Sequence, residues 1–368
     1  MYSQNEIDEA VSAGAITAEA ANALRAHIDG QRHLPAQDEE QFRLITGFND
    51  IFVAIAAAIL LFAVGFIGQW IGMRTGLAVE DEGPSFLAPL FVAATSWGLA
   101  LFFTAKRRMA LPSILLLLAY VGGVFATAGF ALAQGVGPDL LDNNPALTGF
   151  LGAVAAAIAA VAAWLHWKRF MVPITVAAGA ASVAAIVVGL VVGAIGRDIE
   201  QSQNIVLSLV LLLGIGTFLF AMWWDGSDRA RLTRRADVAF WLHLLAAPMI
   251  VHPVFTLLSL NDGTATVGEG LVVIALYVAI GFAALAIDRR ALLVSALAYV
   301  LFALNKMFEQ FGAVELNVAL TALVIGSALL MLSAFWHQAR TSVIGTLPMG
   351  LRERLPLVDR TAIPQPAA

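Results

Sequence analysis

Few ionisable or amide side chains interrupt the long apolar runs of this 368-residue chain. Four that do, His252, Asn305, Lys306 and Glu309, are spaced so that they could act together. A charged group inside a hydrocarbon layer is costly to keep, so a functional site is the default hypothesis for it. Counted from the basic starts of their runs, His252 lies about fifteen residues past Asp237 and Lys306 about fifteen past Ala291. At 1.5 Å per residue both are ~22 Å in. Asn305 adjoins Lys306, and Glu309, one turn on, can pair with it at i,i+3 spacing. Glu269 and Glu315, at the outer starts of their runs, close the same neighbourhood. Such a set would line a polar pocket in the outer half of a helix bundle, binding a small polar or anionic ligand or relaying protons. The plainer reading has Lys306 snorkelling to the outer interface beside Glu309. His252 would then bond to backbone freed by Pro248 or Pro253.

His243 precedes His252 by nine residues, which at 100° per residue sets the two on opposite faces of a regular helix. One metal ion cannot take both unless the prolines break that helix. A bis-histidine haem would require another histidine at matching depth, whereas His166 and His337 fall near the basic helix ends. Trp164, Trp167, Trp223, Trp224 and Trp336 cluster at those same ends, as aromatic belts do. Cysteine is absent, which removes thiolate metal sites, iron–sulfur clusters, disulfides and cysteine nucleophiles together. The chain has no phosphate-cradling glycine loop, no HExxH, no GxSxG and no GxGxxG between strand and helix. Gly214-Ile215-Gly216 lies inside an apolar run and reads as packing. The residues therefore point to no cofactor, no metal and no catalytic set, and to no nucleic acid, since no basic patch is interleaved with aromatics.

The elements that must position these residues are membrane spans. Sixty per cent of the chain is hydrophobic and 13% charged, and the mean hydropathy is +0.83, far from the balance of a soluble domain. Apolar runs of spanning length number about ten. They are Ile51–Gly72, Phe86–Thr104, Leu111–Ala133, Ala146–Trp167, Phe170–Ile195, Asn204–Trp224, Val238–Ser259, Gly268–Ile287, Ala291–Phe311 and Leu316–His337. The ninth is interrupted by Asn305, Lys306 and Glu309. Basic residues follow every second run: Lys106-Arg107-Arg108, Lys168-Arg169, Arg229 to Arg235, Arg289-Arg290, and Arg340 onward. The alternate connectors carry Glu80, Asp81, Glu82, Asp139, Asp142, Asp198, Glu200, Asp262 and Glu269 against Arg74 and Arg197. Since cytoplasmic loops hold the excess of lysine and arginine, this alternation predicts an even number of spans with both termini in the cytoplasm. The chain is expected in a bacterial inner membrane, in contact with the lipid bilayer. Its start, Met1 to Glu40, lacks the basic and apolar succession of a secretory signal.

The basic clusters recur at intervals of about sixty residues, each just before a new run, which suggests a repeated membrane hairpin of the kind found in transporter folds. Thr148, Gly152, Ala156 and Ala160 are spaced by four, as are Ala177, Ala181, Ala185, Gly189 and Gly193. Ridges of small residues like these let helix backbones approach closely, and Gly189 to Gly193 is the GxxxG spacing itself. Ahead of the bundle (51–337), a linker (34–50) follows a short helical hairpin (1–33). In that hairpin Ser3 and Glu6 have capping-box spacing, and Gly14 to Thr17 forms the turn into a second helix. Behind the bundle, the cytoplasmic tail (338–368) carries Pro348, Pro356, Pro364 and Pro366, which rule out a long helix.

The hairpin residues Ile7, Ala10-Val11, Gly14-Ala15-Ile16-Thr17-Ala18-Glu19-Ala20 and Leu24 resemble the cytoplasmic hairpin that precedes the membrane region in a bacterial family of multi-pass membrane proteins of unknown function. Trp241-Leu242-His243-Leu244-Leu245-Ala246-Ala247-Pro248 is similar to a segment in proteins of the same kind. The resemblance implies location and architecture and carries no activity. The chain is therefore expected to be an all-α polytopic bundle that is transporter-like or binds a small ligand. The alternative is a non-catalytic scaffold or sensor acting through residues 1–33, by a cytoplasmic partner or by self-association.

Overall fold

A computed structural model of the chain describes residues 11–14, 16–23, 48–79, 83–196, 202–229, 231, 233–257, 267–290, 292–293, 297, 300–301, 304–305, 316–352 and 355–356. They fall into two contact units, residues 1–41 with 357–368, and residues 42–356. In the first, Thr17 Oγ1 accepts the Ala20 N–H at 3.1 Å, capping the helical residues 18–23. Gly14 takes φ +71° ahead of it. Ser3, Glu6 and Leu24 lie outside the described residues.

The second unit is helical. Its helices are α1 (Phe48–Arg74), α2 (Leu87–Phe103), α3 (Ala110–Val136), α4 (Pro138–Asp142), α5 (Pro145–Phe170), α6 (Ile174–Ile195), α7 (Gln203–Gly226), α8 (Arg234–Leu257), α9 (Val267–Ile287), α10 (Asn317–Ala334), α11 (Trp336–Thr346) and α12 (Met349–Arg352). Six of them, α1, α3, α5, α6, α7 and α8, are long and apolar enough to cross a membrane, and a seventh span results if α10 and α11, bent by 78° at Phe335, count as one. The α2 helix and the apolar part of α9 are shorter. In α1, Phe52, Ile59, Phe62 and Phe66 are each 64–77% exposed. A face that apolar is tolerable against lipid and would drive association in water. The chain is thus a helical membrane-embedded protein. Of the ninth expected run, residues 292–293, 297, 300–301 and 304–305 are described, and all are helical.

Small residues decide the closest helix approaches. The α5–α6 interface closes at Gly149, Gly189 and Gly193: a β-carbon on Gly189 would lie 2.8 Å from Gly149 O and 2.9 Å from Ala153 N. A β-carbon on Gly152 would meet nothing within 4 Å. Ala156 is buried and Ala160 half-buried. On α6, Ala181 and Gly189 are half-buried, Gly193 buried and Ala185 exposed. The reason is periodicity. A stripe with strict four-residue spacing drifts about 40° per step around a 3.6-residue helix, so it leaves the contact face within a few turns. Buried small residues of α5 mix three- and four-residue steps instead, as in Gly149, Ala153, Ala156, Ala159 and Ala163.

The turns on the basic side share a backbone feature. Arg108, Met171, Arg231 and Asp288 all have positive φ, between 54° and 57°, a conformation that costs a non-glycine residue roughly 1–2 kcal/mol. Met171 shows its use: it ends α5 as a left-handed cap, its N–H on Trp167 O, and Pro173 two residues on opens α6. The expected runs ending at Trp167 and starting at Phe170 therefore become one helix reaching Phe170 and another starting at Ile174.

Candidate functional site

Asp225 closes the last turn of α7 and is 1% exposed. The connector that follows is short and self-bonded. Asp228 Oδ2 accepts both the N–H and the hydroxyl of Thr233, at 2.8 and 2.7 Å. The left-handed conformation of Arg231 brings its guanidinium, only 7% exposed for the residue, back under the bundle. Arg289, two residues past α9, arrives at the same point from the next basic turn.

The Asp225 carboxylate is the centre of the arrangement. Arg289 grips it on both oxygens, its NH2 group 2.5 Å from Oδ1 and its Nε 3.2 Å from Oδ2, and donates a further bond to Ala236 O at 3.1 Å. His243, nine residues into α8 and wholly buried, sets Nε2 3.2 Å from Oδ2. A carboxylate only accepts, so Nε2 is the nitrogen carrying the proton. Arg231 Nε is 3.9 Å from Oδ1, but its main acceptors lie elsewhere: Asp288 Oδ2 at 2.9 Å, Asp288 O at 3.2 Å and Ile287 O at 2.9 Å. Asp288 in turn accepts the Trp336 indole N–H at 2.8 Å and lies 3.8 Å from Arg340 Nε. Arg340 reaches Pro356 O at 2.8 Å, and Arg229 reaches Leu355 O at 2.9 Å.

One buried network therefore ties the α7–α8 hairpin to the turn after α9, to the α10–α11 bend and to residues 355–356. The aromatic rings of Phe218 and Phe240 pack on it, the first edge-on to His243 at 5.2 Å, the second under Arg289 at 5.9 Å. Desolvating an ion costs several kcal/mol even after relaxation, and only close pairing with full hydrogen bonding offsets it. Here that condition is met in part, by bidentate geometry at Asp225 and by backbone carbonyls that accept from the guanidinium groups, while His243 Nδ1 is buried with no hydrogen-bond partner among the described residues.

Proline chemistry shapes α8 above this network. Pro253 has no N–H to give to Met249 O, and Gly214 of α7 packs against that carbonyl: a β-carbon on Gly214 would sit 2.9 Å from both the carbonyl carbon and its oxygen. Val251 and Phe255, past Pro248 in the same continuous helix, belong to a core cluster with Val273, Val300, Leu304 and Ile325.

Of the residues read from sequence as a polar pocket, His252 is exposed, and its carbonyl accepts the Thr256 hydroxyl at 2.9 Å. Asn305 is half-buried and helical. Each follows a member of the same core cluster by one position, Val251 and Leu304. Lys306, Glu309 and Glu315, and the side chain of Glu269, lie outside what is described. His243 and His252 face opposite ways, the one buried and the other exposed.

The belt tryptophans divide. Trp164 and Trp223 are exposed, whereas Trp336 is 4% exposed and turned inward by its bond to Asp288. His166 is also fully buried, with Nδ1 3.2 Å from Thr175 Oγ1, inside a ring of Trp97, Tyr120 and Phe170.

In sequence Arg231 and Arg289 read only as topology markers, and neither Asp225 nor Asp288 stands out as a site residue. The signal for the network was present in those acids, which stand among arginines at the basic ends of apolar runs, where charge bias alone calls for lysine and arginine. Comparison of the chain with family models, with curated proteins and with solved structures finds no match.

Proposed function

We propose that this chain is a bacterial inner-membrane protein of about ten spans with both termini cytoplasmic, transporter-like or binding a small polar ligand, in which the Asp225 network acts as a cytoplasmic latch between hairpins. The observation that supports it is the fully buried carboxylate shared by Arg289, His243 and Arg231 where separate hairpins converge. A static bundle gains little from such a group, because apolar residues of similar volume serve as well or better. A bundle whose hairpins part and rejoin gains a contact that is strong when dry and replaceable by water when open. The outer-half residues His252, Asn305, Lys306 and Glu309 supply the complementary polar site in this reading, and Pro248 sets a weak point in α8 between His252 and the latch residue His243.

The absence of cysteine makes the test direct, since introduced thiols are the only ones. Spin labels at Ser227 and Gln338, both exposed, report the distance across the network in purified protein. Asp225→Asn is expected to broaden that distance toward longer values. A ligand-stabilisation screen of small polar and anionic compounds should yield at least one that raises the melting temperature and shifts the same distance. An unchanged distance in Asp225→Asn together with an empty screen would leave an inert bundle and end the proposal. Reporter fusions after Arg107 and Arg234 check the orientation on which the word cytoplasmic rests.

A further inference from the structure

Beside the network a cavity of about 130 Å³ opens between α9, residues 293 and 297, α10 and the start of α11. Its two ends differ chemically. At the basic end the Arg290 guanidinium lies 4.8 Å over the Trp336 ring, with the exposed Ser333 next to them. Away from that end the walls are Leu293, Leu297, Leu329 and Leu332, and Tyr277 completes the lining. Tyr277 precedes Ile287, the last residue of α9, by ten residues, which places it about 15 Å deeper along the helix. The cavity thus runs from a cation on an aromatic ring, at the level where headgroups lie, into an apolar slot at the level of acyl chains.

We infer that this cavity is a binding site for one acidic phospholipid, with its phosphate against Arg290 and the Ser333 hydroxyl and one acyl chain between the leucines. Charge complementarity selects the occupant. A zwitterionic lipid carries its own cation beside the phosphate and gains less from a guanidinium. Arginine suits a phosphate oxygen pair through its forked donors, and basic pockets between membrane helices hold anionic headgroups for the same reason. The volume admits a length of acyl chain and is too small for a folded polar solute. The site depends on the membrane placement of the helices; it shares Trp336 with the network but does not require that the latch open.

The test uses the purified full-length protein in detergent, titrated with phosphatidylglycerol, with phosphatidylcholine of the same chains, and with oleate, read by melting temperature and by lipid retained in native mass spectrometry. Phosphatidylglycerol is expected to bind more tightly than phosphatidylcholine. Arg290→Gln should weaken its binding by roughly tenfold, the weight of one charge-assisted hydrogen bond, and abolish the preference, while Arg290→Lys keeps part of it. Ser333→Leu narrows the mouth without touching the network, and it should reduce retention of both phospholipids even if Arg290 variants prove unstable. Equal binding of the two phospholipids, a preference that survives Arg290→Gln, or selective binding of oleate over phosphatidylglycerol would each overturn the assignment. Asp225→Asn should leave the phosphatidylglycerol preference intact, so failure of the latch and failure of the lipid site are separate results.

Discussion

Replacing Asp225 by leucine removes a carboxylate that is wholly buried and leaves Arg289, also buried, with one backbone acceptor, Ala236 O. Breaking a buried pair from one side costs about 3–5 kcal/mol, because the surviving charge stays desolvated and unpaired. Arg289→Met should cost a similar amount from the other side. The double variant Asp225→Leu/Arg289→Met removes both charges, and buried pairs replaced by apolar residues are often neutral or better, so most of the loss should be regained. The expected coupling energy is then about 5 kcal/mol or more in magnitude, above the roughly 0.5–3 kcal/mol usual for residues in contact.

The geometry also ranks the partners. Arg289 holds Asp225 through two bonds, at 2.5 and 3.2 Å, His243 through one at 3.2 Å, and Arg231 stands at 3.9 Å with its two terminal nitrogens committed to Asp288 and Ile287. Coupling to Asp225 should therefore fall in the order Arg289, His243, Arg231. Reversible unfolding in mixed detergent and dodecyl sulfate, fitted for each corner of the three cycles, measures it. Single-variant losses below about 1 kcal/mol, the scale of exposed pairs, or a coupling to Arg231 as large as that to Arg289, would show that the network is not organised around Asp225.

Two further outcomes follow from backbone geometry. Gly149→Leu should destabilise by about 1–3 kcal/mol by forcing α5 from α6, whereas Gly152→Leu, three residues away and meeting open space, should stay within about 0.5 kcal/mol; the same unfolding assay compares them. Met171→Gly should be neutral to within about 1 kcal/mol, since relief of a left-handed residue is offset by the entropy of glycine. Asp288→Gly at the same backbone angle should lose about 2 kcal/mol or more, because Arg231 and Trp336 forfeit an acceptor.

The helical membrane architecture was legible because hydrophobic length is a strong signal repeated along the chain. Run boundaries from Ile51 to Trp224 fall within a few residues of α1 to α7, short α4 apart. Packing was less legible. The close approach at Gly149 was hidden because four-residue spacing looks regular in sequence and drifts on a real helix, and that at Gly214 because its partner is a carbonyl that becomes available only through Pro253. The network was least legible, since a charge at a helix end reads as solvated until another hairpin is placed against it. Asp225 and Arg289 are 64 positions apart, and nothing local distinguishes them from Asp228 or Arg234, which stay at or near the surface.

The left-handed residue in each basic turn has a mechanical side. A turn fixed by backbone conformation does not flex like a loop, so two helices joined by one tilt together as a lever with its fulcrum at that turn. A 24-residue arm such as α7 or α8 is about 36 Å long, and a tilt of ~10° would carry its far tip through roughly 6 Å. Sub-ångström slack between Arg289 and Asp225 would thus be magnified at the opposite membrane surface, where spectroscopic probes should be placed to see it.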